Sequence, residues 1–304
     1  IKDGVFEKLA NSLLKRLCSI GEQAVWEAFN AQRKPGTMLL AHLGVSGDGA
    51  GPPTRENYKS FIYYHRKNGL EELLKEYSEL GRYVGTVVML WRTGSTEMLQ
   101  RIDEDRRVIE ELFGIPKNKP LVSVEQGLSD PHRGGRAVAI LGFSDEKGNS
   151  NKLVYKPKDM AVDVAYHNFI EAINKHSKNG SLKRLTIYNG NKYGYMEFVQ
   201  HKMAQDSKEI NRFYKNAGKV TAILHVLGCT DCHHENLIAC GDQLILIDTE
   251  TLLEGEVGNH TESGNMNRGE ESVLKKRFKE SVLRSGLMPQ WMFVGGLKVA
   301  VDIS

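Results

Sequence analysis

Close to residue 119 the spacing of apolar residues changes period, and this change restricts the architectures open to the chain more than any other feature. Upstream, Phe6, Leu9, Leu13, Leu14, Leu17, Ile20 and Val25 recur three and four residues apart, the pattern of an amphipathic helix. A glycine-rich stretch, "GVSGDGAGPP", interrupts it. Helical patterning resumes from Tyr58 to about Phe113, clearest in "LEELLKEYSEL" and "STEMLQRIDEDRRVIEELF". "GIPKNKP" closes this part, which places a helical region over residues 1–118. Downstream the pattern alternates: "LVSVEQG" (121–127), "RAVAILGF" (136–143) and "NKLVYKPK" (151–158) read as strands of an antiparallel meander. "VDVAYHNFIEAINKH" follows as a helix and "LKRLTIYNG" with "KYGYMEFVQ" as a hairpin. A helix from Ser207 to Leu227 comes next, then "LIAC" and "LILID" as a short strand pair. The expected fold class is therefore α+β.

Composition removes several function classes. Lysine and arginine total 41 against 38 acidic residues, leaving +3 across 304 residues, so bulk charge offers no basis for nucleic-acid binding. No apolar run approaches the ~20 residues of a membrane helix, so no transmembrane segment is expected. The N-terminal "IKDGVFEKLANSLLKRL" lacks the unbroken apolar core of a signal peptide. Three of the four cysteines cluster at Cys229, Cys232 and Cys240, which is no disulfide framework and points to the reducing cytoplasm. The chain starts at Ile1 without methionine and stops at "GGLKVAVDIS", so it reads as a piece of something longer, truncated at the C-terminus.

The stretch from Gly228 to Thr251, "GCTDCHHENLIACGDQLILIDTET", admits three readings. "CTDCH" has the Cys-x-x-Cys-His form of covalent haem attachment, a chemistry of exported proteins. Cysteines with His233 and His234 supply zinc-type donors, although such ligands usually come as two separated pairs and Cys18 is distant. The third reading uses Asp231, Asn236 five residues on, and an apolar strand ending in Asp248: a base for a hydroxyl and two oxygen ligands for Mg2+.

The order of elements favours the third. Three strands, a helix, two strands, then a helix, a loop and a hairpin is the order of a kinase-like, two-lobed domain, with an N-lobe over 119–200 and a partial C-lobe over 201–304. In that arrangement the Gly134–Gly135 turn covers the phosphates, Lys156 on the third strand touches them, and Glu171 on the next helix faces that lysine. "YMEFVQ", with Glu197, takes the place of the hinge beside adenine.

At "SDPHRGGRAVAILGF", "KLVYKPKD", "YGYMEFV" and "GCTDCHHENLIACGDQLILIDTETLLEG" the sequence resembles the dehydratase domain of the class II lanthipeptide synthetases, the LanM family. The resemblance covers most of the chain, and its most specific part is Asp-x-His-x-x-Asn combined with Asp-x-Glu. It implies a lipid-kinase-like fold that phosphorylates serine and threonine of a precursor peptide with ATP and Mg2+. The phosphate is then eliminated to leave dehydroalanine or dehydrobutyrine. By motif it implies catalytic roles for Asp231 and His233, metal ligation by Asn236, Asp248 and Glu250, and phosphate binding by Lys156 or by Lys158 on the same strand face. Asp130 and His132 match the family's Asp-x-His pair used in elimination. The family also carries an arginine and a threonine beyond the Asp-x-Glu strand, and then a zinc-dependent cyclase domain. Arg268, Arg277 and Arg284 lie in the tail with no motif to place them. Two further functions share these residues: a phosphotransferase without elimination, and a degenerate module that binds a leader peptide.

Overall fold

A computed structural model describes residues 4–32, 55–127, 131, 134–177, 180–253, 273, 277–278, 280–288, 291–293 and 300–302. The architecture is α+β, as expected, and the chain divides into two compact units, 1–151 and 152–304.

The first unit is mainly helical. Helix α1 (Gly4–Ala31) is followed by α2 (Glu56–Tyr64), a π-helical turn (His65–Gly69), α3 (Leu70–Glu76), α4 (Ser78–Glu104) and α5 (Arg106–Phe113). The expected apolar stripe on α1 is buried only in part. Val5 and Leu9, one turn apart, are buried, whereas Phe6 and Leu14 are exposed. Helix α1 packs on β1 (Leu121–Glu125) and on α4. The patterning from Tyr58 to Phe113 is helical but broken at Tyr77 (ψ 66°) and Asp105, and it stops at Gly114, whose φ of 64° suits a residue without Cβ. Arg106 then fastens the turn into the strands. Its guanidinium donates to the carbonyls of Pro116, Lys117 and Lys119 and lies 4.8 Å from the Phe143 ring centroid. Strand β1 pairs antiparallel with β2 (Ala139–Ser144), Leu121 opposite Phe143 and Val124 opposite Leu141, with a bulge between Leu121 and Ser123.

The second unit holds the loop and hairpin that contain Asp231, Asn236 and Asp248. Strand β3 (Ser150–Lys156) pairs antiparallel with β5 (Gly194–Glu197), which also pairs with β4 (Ile187–Asn189). Helix α6 (Ala161–His176) follows β3, and α7 (Ser207–Val226) leads to the hairpin of β6 (Leu237–Cys240) and β7 (Gln243–Leu246). Helix α7 starts at Asp206, which accepts from the Glu209 amide at 2.7 Å. The hairpin turns on Gly241 at φ 60°, the first of two turn residues.

The run "LILI" is apolar throughout because both faces of β7 are covered. Leu244 and Leu246 join a cluster containing Tyr166, Ile170, Val220, Leu224, Cys229 and Cys232. Ile245 and Ile247 join another containing Met160, Leu185, Met196 and Val199. Side chains that alternate between two apolar layers give a continuous hydrophobic strand. A 3-10 turn (Val282–Ser285) and a strand pair, β8 (Trp291–Phe293) with β9 (Ala300–Asp302), complete the described elements. Among the described residues no helix is long and apolar enough to cross a membrane.

Candidate functional site

The loop after α7 is shaped from both ends. Gly228, at φ 70°, turns the chain out of the helix, and the Cys229 amide donates back to Leu224 O at 3.0 Å. Cys229 and Cys232 are both buried in the apolar layer, and the Cys232 amide donates to Ser285 O at 2.8 Å. Asp231, between two anchored cysteines, is left half exposed.

That geometry makes the two cysteines part of the apolar layer. Their sulfurs touch one another inside a cluster of apolar side chains that includes Tyr166, Ile170, Leu224 and Leu246, the setting of small core residues. Among the described residues no group of three or more His, Cys, Asp or Glu is arranged to hold a metal ion. All four cysteines are free. Cys232 donates to Cys229 and so holds the Cys229 thiol well below its usual pKa. Burial and the Thr251 hydroxyl act on it in opposite directions, and the Cys232 thiol is pushed up by the same bond.

Three of the motif residues meet. Asn236 donates from Nδ2 to both Asp231 O and Asp231 Oδ2, each at 2.9 Å. His233 Nδ1 accepts from the Glu235 amide at 3.2 Å, so the ring proton sits on Nε2, which faces Asp231 Oδ1 at 3.2 Å. The Asp231 carboxylate is thereby held at one oxygen by the imidazole and at the other by the amide. His233 Nε2 and Asn236 Nδ2, 3.4 Å apart, are both donors and only neighbours. Since Nδ2 is committed, the side-chain oxygen Oδ1 of Asn236 is the atom that could take a cation.

Asn236 precedes β6 and Asp248 follows β7, and the Ile247 amide donates to Asn236 O at 2.9 Å. Both side chains thus belong to the open end of one hairpin. Asp248 Oδ1 and Glu250 Oε1 converge on Lys158 Nζ at 2.9 and 2.7 Å. Burial raises the Asp248 pKa, but the Lys158 and Lys156 ammonium groups outweigh it and leave the carboxyl below its usual value. For Lys158, burial acts downward and the facing Asp248 and Glu250 prevail, so its pKa is raised.

Lys158 itself departs from expectation. Strand β3 ends at Lys156, because Pro157 has no amide hydrogen for the ladder. Lys158 therefore lies in the bend after the strand and not on its face. Lys156 is buried at 5% exposure, with Nζ 3.3 Å from Asp163 Oδ1 and donating to Ile247 O. The carboxylate beside Lys156 is thus Asp163, in the first turn of α6. Glu171, two turns on, pairs with Lys175 at 3.4 Å and Arg184 at 3.3 Å. Asp163 was missed because an acid in a first helical turn reads as a dipole or capping residue. Its spacing to Tyr166, His167 and Ile170, the buried face of α6, was the available signal.

Glu197 ends β5 opposite Leu153. Its carboxylate takes Lys183 Nζ at 2.6 Å and the Thr186 amide at 3.1 Å. Gly134 and Gly135 belong to the first unit, both at φ 83°, and a Cβ on Gly135 would stand 2.8 Å from Leu90 Cβ. Asp130, His132 and Arg268 lie outside the described residues.

The helix, the loop and the hairpin all fall inside the stretch matched by a family model described as a domain of unknown function, DUF4135, over residues 77–304, and the chain belongs to that family. A relative from Lactococcus lactis subsp. lactis, the "Lacticin 481/lactococcin biosynthesis protein LcnDR2", is 26% identical over 196 residues, 61% of this chain. The chain spans 19% of that relative's length. The matches bear out the resemblance to the class II lanthipeptide synthetases.

Proposed function

We propose that the chain is the kinase-like part of a lanthipeptide dehydratase, acting in lantibiotic biosynthesis. It phosphorylates serine and threonine of a precursor peptide and then eliminates the phosphate. The observation that carries this reading is the Asp231 carboxylate held by His233 and Asn236 at the end of the hairpin whose other strand leads to Asp248 and Glu250. Asp231 receives the proton of the peptide hydroxyl as its oxygen bonds to the γ-phosphorus and ADP leaves. His233 and Asn236 keep that carboxylate in one orientation. Lys156, tied to Asp163, keeps β3 and α6 in register with the residue before Asp248.

The oxygen donors fit Mg2+. Asp248 and Glu250 already converge on one cationic group, Asn236 Oδ1 is not used by the bonds its Nδ2 makes, and hard oxygens are the ligands that ion prefers. When bound, the ion supplies charge neutralisation at the β- and γ-phosphates. In the second step Asp130 or His132 serves the removal of the Cα proton as the Cβ–O bond breaks and phosphate departs. Ring closure is assigned to a cyclase domain of the longer enzyme.

Mass spectrometry of a cognate precursor incubated with ATP and Mg2+ tests the reading. The expected products are first peptide carrying a phosphoryl group and then peptide lighter by one water per dehydrated residue. Phosphopeptide that never loses phosphate favours the simple phosphotransferase. No mass change and no ATP turnover favours the leader-binding module.

A further inference from the structure

We propose that Lys158 is a resident counter-ion of the Asp248–Glu250 pair, displaced by a divalent cation and received by the phosphates of the nucleotide. The inference rests on the phosphotransfer reading above and adds a residue and an exchange to it.

Three observations carry it. Lys158 Nζ is within hydrogen-bond distance of one oxygen from each carboxylate, 2.9 Å to Asp248 and 2.7 Å to Glu250. A metal ion bound by the same oxygens needs the same space, so ammonium and metal exclude one another there. Lys156, the other cation acting on Asp248 among the described residues, is committed elsewhere: it is buried, paired with Asp163 and bonded to Ile247 O. Finally, Lys158 follows Pro157 outside the strand ladder, so its side chain can move without breaking β3. Its side chain is 17% exposed, against 38% for Asp248 and 64% for Glu250, which places the carboxylates toward solvent and the ammonium behind them.

The electrostatics give the exchange a direction. Two carboxylates sharing a site repel, and one ammonium relieves that repulsion at the cost of competing with any incoming cation. A divalent ion arriving alone displaces the ammonium from both carboxylates and brings no phosphate to receive it. Arriving with ATP, it brings phosphate oxygens that accept the released Lys158 donors. Metal and nucleotide binding are therefore coupled through this side chain, each favouring the other.

The test is Mn2+ binding to the full chain, followed by electron paramagnetic resonance, with and without a non-hydrolysable ATP analogue. Lys158→Met is expected to bind Mn2+ about tenfold more tightly than the parent when nucleotide is absent, because a competing charge at contact distance is gone. It is expected to bind the Mn2+-loaded analogue about tenfold more weakly and to lose most of the coupling. Lys158→Gln, which keeps a hydrogen-bond donor without the charge, should follow Lys158→Met in both measurements and stands in for it if that variant does not fold. A residue that only braces the loop would weaken both affinities when removed. Unchanged or weaker nucleotide-free Mn2+ binding in the variants, with normal uptake by the parent, overturns the exchange and leaves the phosphotransfer reading intact. No Mn2+ uptake by the parent, with or without the analogue, overturns both.

Discussion

Asp248 and His167 show how single side chains here depend on neighbours far away in sequence. Asp248 is kept ionised against its burial by Lys158 and Lys156, the state that the proposed metal ligation requires. Asp248→Asn preserves the shape and removes the charge, so phosphopeptide formation should fall by about 10²–10³-fold or more. Near-parent rates in a mass-spectrometric time course would remove Asp248 from the metal site. His167 is 2% exposed, accepts from the Leu185 amide at Nδ1, and finds no partner for Nε2 among the described residues. Burial, then Arg184 and Lys156, push its pKa down to about 4 from 6.5. The unfolded chain therefore takes up this proton below about pH 6.5 while the folded chain resists it to about pH 4. Stability should be complete above that window and fall as pH drops through it, by about 3 kcal/mol in all from this group. Urea unfolding of the parent and His167→Phe at pH 7.5 and pH 5 checks this: the variant should lose much less stability between the two. Equal losses would assign the acid sensitivity to other groups.

At the scale of elements, the site depends on strands that pack too closely to tolerate substitution. Gly194 lies directly across from Lys156, and a Cβ there would collide with the Tyr188 carbonyl oxygen and the Met160 sulfur. Gly194→Ala should cost about 1–3 kcal/mol, read as a lower thermal midpoint, with phosphotransfer reduced because its partner is the strand residue that holds Asp163. By contrast, Asp206→Ala removes one cap at the far end of α7 and should cost about 1 kcal/mol with little change in turnover. If the two variants lost activity in parallel, general destabilisation and not the Lys156 strand would be the cause.

On the scale of the molecule, the two units divide the matched motifs between them. Asp231, His233, Asn236, Asp248 and Glu250 all belong to 152–304, and Asp130 and His132 to 1–151. In the complete enzyme, His132→Ala should leave transfer working and slow elimination by about 10²–10⁴-fold, the usual worth of a proton-transferring side chain. Phosphopeptide should then persist in mass spectra after the parent has gone on to dehydrated product. Fully dehydrated peptide at the parent's rate would make His132 a bystander.

Much of this protein was legible in one dimension because the determining interactions are local. Periodicity identified α6, α7 and the β6–β7 pair, and the spacing of Asp231, Asn236 and Asp248 marked the loop and strand end that the fold brings together. Local patterns work there because helix turns, hairpin register and loop spans are set by residues within a few positions of one another. What needed the tertiary structure were the pairings across long stretches of chain. Glu171 gave way to Asp163 beside Lys156, Lys158 left the strand and took Asp248 and Glu250 ninety or more residues on, and the Cys229–Cys232 pair sank into an apolar layer. A cysteine pair reads alike as ligand or as filler, and a lysine alike as surface or as counter-ion. The environment that decides between them is assembled only when distant segments pack, since burial and opposing charge set what each group does.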